Sequence, residues 1–286
     1  MGRGRNVIAV LDANTIIFLA FMNLDAFKCL EYLNKIFQTI IITPEVFDEV
    51  FKNRHNKFSK YSYLEVDDLD EFVDHYKKEL RQFIRNDDTS EIQKFVKKHT
   101  NYFKDKKGEF FSTAFALQCS RYEGDNFNEY LLKTFIITDD EDAIKDFEEF
   151  YNNNLIGRFL STIDLFTIFY IHDLISKTDY QKSFHSLKYL YSEPLYQCII
   201  EIKKLKEQLA DSPKDQLLLS QLLETLEKMN YEEANNLVQR RELKRNLKDK
   251  LKLLEDLFRG NNSSKKISNI NDKLSKIDKI YRVEFS

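Results

Sequence analysis

Residues 6–12 read NVIAVLD, an unbroken apolar run closed by Asp12. A run of this length with no polar alternation is the pattern of a strand buried on both faces, as in a parallel sheet covered by helices. Residues 38–43 (QTIIIT) and 134–138 (TFIIT, followed by Asp139 and Asp140) repeat the pattern, and a fourth strand fits within 155–163. Helical segments fall between them. Residues 13–19 follow the first strand. Over 24–37, Phe27, Leu30, Leu33, Ile36 and Phe37 recur at helical spacing. Thr43 can cap a further helix with Pro44 at its first position. Residues 69–84 and 90–98 read as helices broken at Asp87-Asp88-Thr89, 110–120 as a well-buried helix, then 142–150 and 164–175. Strands alternating with helices predict an α/β fold with a mostly parallel central sheet.

The texture changes beyond about residue 176. Strand signals stop and long charged helices take over, so a boundary is drawn at 176–180. This gives a first domain over 1–176, with a charged helical insertion at about 53–107, and an all-α, coiled-coil-like region over 177–286. In that second region, residues 236–258 form the most regular helix. Leu243, Leu247, Leu251, Leu254 and Phe258 make one stripe, with Arg240, Arg241, Lys244, Arg245, Lys248 and Lys252 beside it. The leucine stripe reads as core or a pairing surface for a second copy or a protein partner. The basic stripe is either a solvated face or a contact for nucleic-acid phosphates.

Of the 286 residues, 42% are hydrophobic and 32% charged, enough for a real core and too polar for a membrane-embedded chain. No apolar run reaches the length that spans a bilayer. The basic start Met1-Gly2-Arg3-Gly4-Arg5 fails as a signal peptide, because Asp12 and Asn14 interrupt the apolar region and no small-residue cleavage site follows. Asn6 stands where a myristoylation motif wants Ser or Thr. A cytoplasmic protein is expected. Cys29, Cys119 and Cys198 are far apart with no CxxC pair, which disfavours disulfides and zinc. The five histidines are scattered too. Any metal here is held by oxygen.

Charge is uneven along the chain. Residues 176–286 carry 22 Lys and Arg against 17 Asp and Glu, while 1–175 carry 22 against 30. The acids fall at telling places. Asp12, Asp139 and Asp140 stand at or just past the carboxyl ends of strands, where open α/β sheets bind ligands. Glu49 lies one helical turn beyond Glu45, and Glu109 heads the buried helix. Carboxylates gathered on one rim repel one another, and hard divalent cations are their natural counter-charge.

The segments VLDANTIIFL (10–19), ITPEVFDEV (42–50), KKGEFFSTAFAL (106–117) and FIITDDEDA (135–143) resemble, in order, the four motifs of PIN-domain nucleases. The resemblance covers residues 6–175 and implies a three-layer PIN-like domain. It further implies that Asp12, Glu49, Glu109 and Asp140 hold Mg²⁺ or Mn²⁺, with Glu45 the alternate to Glu49 and Asp139 adjoining the set. Asn14 and Thr138 match the family's supporting polar positions. The implied reaction is metal-assisted hydrolysis of a phosphodiester, in RNA by preference and in single-stranded or structured DNA as the alternative. An antitoxin, as toxins of the family have, is one implied partner. A scaffold that has lost activity and works through its C-terminal helices is the non-enzymatic alternative. The long insertion before Glu109 and the whole second region depart from the compact toxins. Outside the resemblance, Asp12 alone reads equally as a helix cap, and Asp139 to Asp142 as an acidic helix start favoured by the macrodipole.

Overall fold

A strand that is apolar on both faces needs helices on both sides, and the chain supplies them. The computed structural model describes residues 7–22, 25–52, 58, 68–100, 108–122, 133–209, 212–228, 233–234, 236–237 and 263–285. Its sheet holds four parallel strands: β1 (Val7–Leu11), β2 (Thr39–Ile41), β3 (Lys133–Ile137) and β4 (Gly157–Leu160). Their order is β2-β1-β3-β4. Ala9 pairs with Ile40 on one side and Phe135 on the other, and Ile136 pairs with Phe159. The protein is α/β, as its alternating strands and helices predict.

The crossovers are helical. They run through α1 (Ala13–Ala20), α2 (Ala26–Ile36), α3 (Pro44–Phe51), α4 (Leu69–Leu80), α5 (Ser90–His99), α6 (Gly108–Tyr122) and α7 (Glu141–Asn154), and α8 (Thr162–Ile171) follows the last strand. Ile8, Val10 and Ile136 pack with Val96, Ala114, Phe115, Phe147 and Tyr151 in one buried cluster, which places α5, α6 and α7 on one face of the sheet. Alternation sends Ala9 and Phe135 to the other face. There the ring of Phe37, just past α2, meets Phe135 at 6.3 Å, and Tyr32 of α2 meets Phe169 of α8 at 5.6 Å.

Several boundaries shift from the sequence reading for identifiable reasons. β2 is short because Ile42 turns to a different partner. Its N–H donates to Phe83 O at 2.9 Å and its carbonyl accepts from Arg85 N at 3.1 Å, forming a parallel bridge to Ile84. The charged insertion thus lays one extended residue along the open edge of β2, where unpaired backbone groups would otherwise face outward. The same bridge ends the helix expected over 69–84, which closes as α4 plus a 3-10 turn at Arg81–Phe83. β4 is trimmed at both ends. Leu155 caps α7 in the left-handed region (φ 52°), and Ser161 forms a reciprocal capping box with Asp164 that opens α8.

Leu155 is 69% exposed, so its left-handed backbone is offset by little packing. A non-glycine residue in this conformation costs about 1 kcal/mol or more. Leu155→Gly is expected to stabilise the protein by about 1 kcal/mol, read as a higher midpoint in urea.

The chain divides into two compact units between Leu187 and Lys188. The division lies inside one helix, α9 (Lys177–Tyr191), past the boundary expected at 176–180. Tyr180 fastens the start of that helix to the first unit. Its ring stacks on Tyr170 at 4.7 Å and its hydroxyl bonds the Thr167 hydroxyl at 2.7 Å. The second unit is helical where described: α10 (Glu193–Gln208), α11 (Pro213–Glu227) and α12 (Ser263–Phe285). Cys198 and Ile202 pack with Leu219, Leu222 and Leu274 in its core. Among the described residues no helix is long and apolar enough to cross a membrane.

Candidate functional site

The strand order fixes where a ligand can sit. β1 lies between β2 and β3, so the chain leaves β1 toward one edge and returns on its other side. Such a reversal opens a crevice outside the carboxyl ends of the two central strands. Asp12 follows β1 and Thr138 follows β3, so both stand at that crevice.

Asp12 occupies the N-cap position of α1 and yet makes no side-chain capping bond. Instead its Oδ2 accepts the Thr138 hydroxyl at 2.8 Å, while its own N–H donates to Ile137 O at 3.0 Å. The carboxyl is buried. Burial pushes it from 3.8 up to about 7, hydrogen bonds from Thr138 and the Ala13 backbone pull it back in part, and the charges of Glu109 and Glu49 raise it further. The reading of Asp12 as a plain helix cap does not describe this side chain.

Three of the implied acids therefore share one electrostatic neighbourhood. Their supports come from different elements. Glu49 rides on α3, whose start is fixed by Thr43 accepting from Val46 N at 3.4 Å. Glu109 follows Gly108 at the head of α6. A Cβ on Gly108 would lie 2.6 Å from Val46 Cγ2 and 3.3 Å from Glu49 Oε2, so the absent side chain is what lets α3 and α6 approach.

Asp140 and Asp139 have other partners. Asp140 caps α7, its Oδ1 accepting from Asp142 N at 2.9 Å and Ala143 N at 3.2 Å. Its N–H donates to Thr138 Oγ1 at 3.1 Å, so Thr138 links Asp140 to Asp12. Asp139 is buried, and its carboxylate accepts both the N–H and the hydroxyl of Thr162 at the start of α8. Among the described residues, no three His, Cys, Asp or Glu side chains stand together as a ready metal cage. No family model, curated protein or solved structure matches this chain.

Asn14 is exposed in the first turn of α1. Glu45 lies half-buried on the same helix as Glu49 and lines a cavity of about 330 Å³. A larger cavity, about 560 Å³, lies between the C-terminal parts of α5 and α7, and neither cavity is lined by Asp12, Glu49, Glu109, Asp139 or Asp140. The basic residues Arg240, Arg241, Lys244, Arg245, Lys248 and Lys252 lie outside the described residues.

Two supports escaped the sequence reading. Thr15 is buried, and its hydroxyl donates to Ile137 O at 2.8 Å, tying α1 to the end of β3. Thr162 does the same service for Asp139. A lone hydroxyl inside an apolar helix is the only local signal of either, and it does not reveal a partner more than twenty residues away.

Proposed function

We propose that this chain is a metal-dependent nuclease of the PIN type, built on a three-layer domain, cytoplasmic, and acting on RNA. The observation that carries the reading is Asp12: a buried carboxylate at the crevice between β1 and β3, held by Thr138 and pressed by the charges of Glu49 and Glu109. The donor set is all oxygen and the charge around Asp12 is acidic, which is the chemistry a hard divalent cation meets. Asp12, Glu49 and Glu109 would hold Mg²⁺ or Mn²⁺, joined by Asp140 through the oxygen that does not cap α7. A divalent cation so bound supplies Lewis-acid activation of a phosphodiester. Thr138 keeps Asp12 oriented toward the crevice, and Gly108 keeps Glu49 and Glu109 on the same side. RNA is preferred over DNA on the strength of the motif resemblance. The helices of the second unit are proposed as the surface for a second copy or a protein partner, an antitoxin among them.

A second reading has one observation in its favour. Asp139 and Asp140 are both engaged by hydrogen bonds inside the fold, which suits a PIN-like scaffold working through a protein partner. One experiment separates the readings. The purified chain is incubated with matched RNA and DNA oligonucleotides in Mn²⁺ and, separately, in EDTA. Cleavage of RNA in Mn²⁺ and none in EDTA is expected. Cleavage of DNA alone would transfer the reading to a DNA nuclease, and an inert protein in both would leave the scaffold.

A further inference from the structure

The 330 Å³ cavity is lined by Thr43, which caps α3, and Glu45 of α3, by Arg85, Asn86 and Gln93, and by Phe111 of α6, with Asp87 and Asp88 at its wall. Its volume falls in the range of small-ligand sites, roughly 300–1,000 Å³. It shares two helices, α3 and α6, with the proposed metal site. Glu45 is one helical turn before Glu49, and Phe111 is two residues after Glu109. The bridge to Ile42 fixes the Arg85 backbone there, with Arg85 N donating to Ile42 O at 3.1 Å.

We propose that this cavity receives one nucleotide of the strand, next to the bond that is cut, with Arg85 gripping its phosphate. The inference rests on the nuclease reading above. Arg85 is exposed and makes no ion pair among the described residues, although three carboxylates share its cavity. Asp88 is engaged elsewhere, accepting from Ser90 N at 2.9 Å. A guanidinium fork left open beside a phosphodiesterase site matches the geometry of a phosphate. A free phosphate gains little in this lining, because Glu45, Asp87 and Asp88 repel it. A nucleotide gains more. Those oxygens, together with the Gln93 carbonyl left over once Gln93 Nε2 has donated to Thr89 Oγ1 at 2.8 Å, form a wall rich in acceptors. Such a wall favours a base carrying an exocyclic amino group, as adenine, cytosine and guanine do, over uracil, which has none. Phe111 supplies an apolar side against which the base can lie.

The test uses the full chain and short A, C and U homo-oligonucleotides of RNA, with binding read by fluorescence anisotropy in Ca²⁺ and cleavage in Mn²⁺. The A and C oligomers are expected to bind and to be cut with lower KM than U. Arg85→Ala is expected to raise Kd and KM about ten-fold for all three, as loss of a charge-assisted contact does, with kcat moving far less and the melting temperature unchanged. Gln93→Leu should narrow the difference between A and U. Inorganic phosphate should not compete at millimolar concentration. If wild type cuts RNA and Arg85→Ala matches it in Kd and KM, the subsite is wrong and the nuclease reading stands. If wild type cuts nothing yet binds these oligomers through Arg85, the subsite stands and hydrolysis falls. Strong competition by inorganic phosphate, or no binding at all, overturns the proposal.

Discussion

Asp12→Asn is expected to abolish metal-dependent cleavage and, in the same protein, to raise the melting temperature at pH 8. The loss of activity follows if Asp12 is a ligand: removing one charge-stabilising group from a hydrolytic site typically costs about 10²-fold or more. The gain in stability follows from burial. The folded protein holds the Asp12 proton up to a pH of about 7, against 3.8 for the free side chain. Because the folded pKa is the higher one, the fold binds this proton more tightly than the unfolded chain does. Stability is then greatest where Asp12 is protonated and falls as pH rises from about 4 to about 7. At about 1.4 kcal/mol per unit, a shift of this size corresponds to about 4 kcal/mol lost by pH 8. Asn resembles the protonated acid and retains an oxygen for the Thr138 hydroxyl. The variant should therefore melt well above wild type at pH 8 in EDTA and close to it at pH 4. Divalent metal adds a second signature, since a cation that binds only the folded state stabilises it. Mn²⁺ should raise the melting temperature of wild type at pH 8 and leave that of Asp12→Asn in place. A variant that still cleaves fully in Mn²⁺, or melts below wild type at pH 8 in EDTA, contradicts the assignment.

The parts of this molecule that were legible in its sequence are those decided locally. Residues 7–11 announce a buried strand because nothing polar interrupts them, and the Asp that follows must stand at the sheet's rim. Thr43-Pro44 announces a helix start, and Thr43 does cap α3. The acidic run after β3 was read two ways, as metal ligands and as an acidic helix start, and the second describes its place in the fold. Asp140 is the cap of α7, with Glu141 and Asp142 in the helix's first turn, where acids suit the dipole. What the sequence hid depends on distant partners. The bridge of Ile42 to Ile84 shortens β2 and ties Arg85 to its end, and no periodicity in the charged insertion marks it. Thr15 and Thr162 brace the site by hydrogen bonds across 122 and 23 residues respectively. The oxygens of Asp139 are similarly claimed by α8, a helix whose packing on the rim only the folded chain reveals.

Gly157→Ala is the second large effect expected, and it lies outside the acidic rim altogether. Gly157 opens β4 and pairs with Thr134 at the start of β3. A Cβ built there would fall 1.7 Å from Thr134 O, 2.6 Å from Thr134 C and 3.0 Å from Thr134 N. All three are backbone atoms in the middle of a sheet, so no side-chain rotation relieves the clash. Either β4 slides or its first pair separates, and both undo buried backbone pairing. A loss of about 3 kcal/mol or more is expected, in the range where overpacking meets broken backbone hydrogen bonds. For a unit of this size that lowers the melting temperature on the order of 10 °C. The damage should reach the rim as well. Thr138, which holds Asp12, donates its own N–H to Leu160 O of β4 at 2.8 Å. Thr162, which holds Asp139, follows β4 directly. A shifted β4 therefore displaces both supports, and Mn²⁺-dependent cleavage should fall even at temperatures where the variant stays folded. Gly108→Ala should also destabilise, but by parting α3 from α6, because its Cβ would fall 2.6 Å from Cγ2 of the buried, β-branched Val46. If Gly157→Ala melts within a degree or two of wild type, the β3–β4 register described here is wrong, and with it the placement of Thr138.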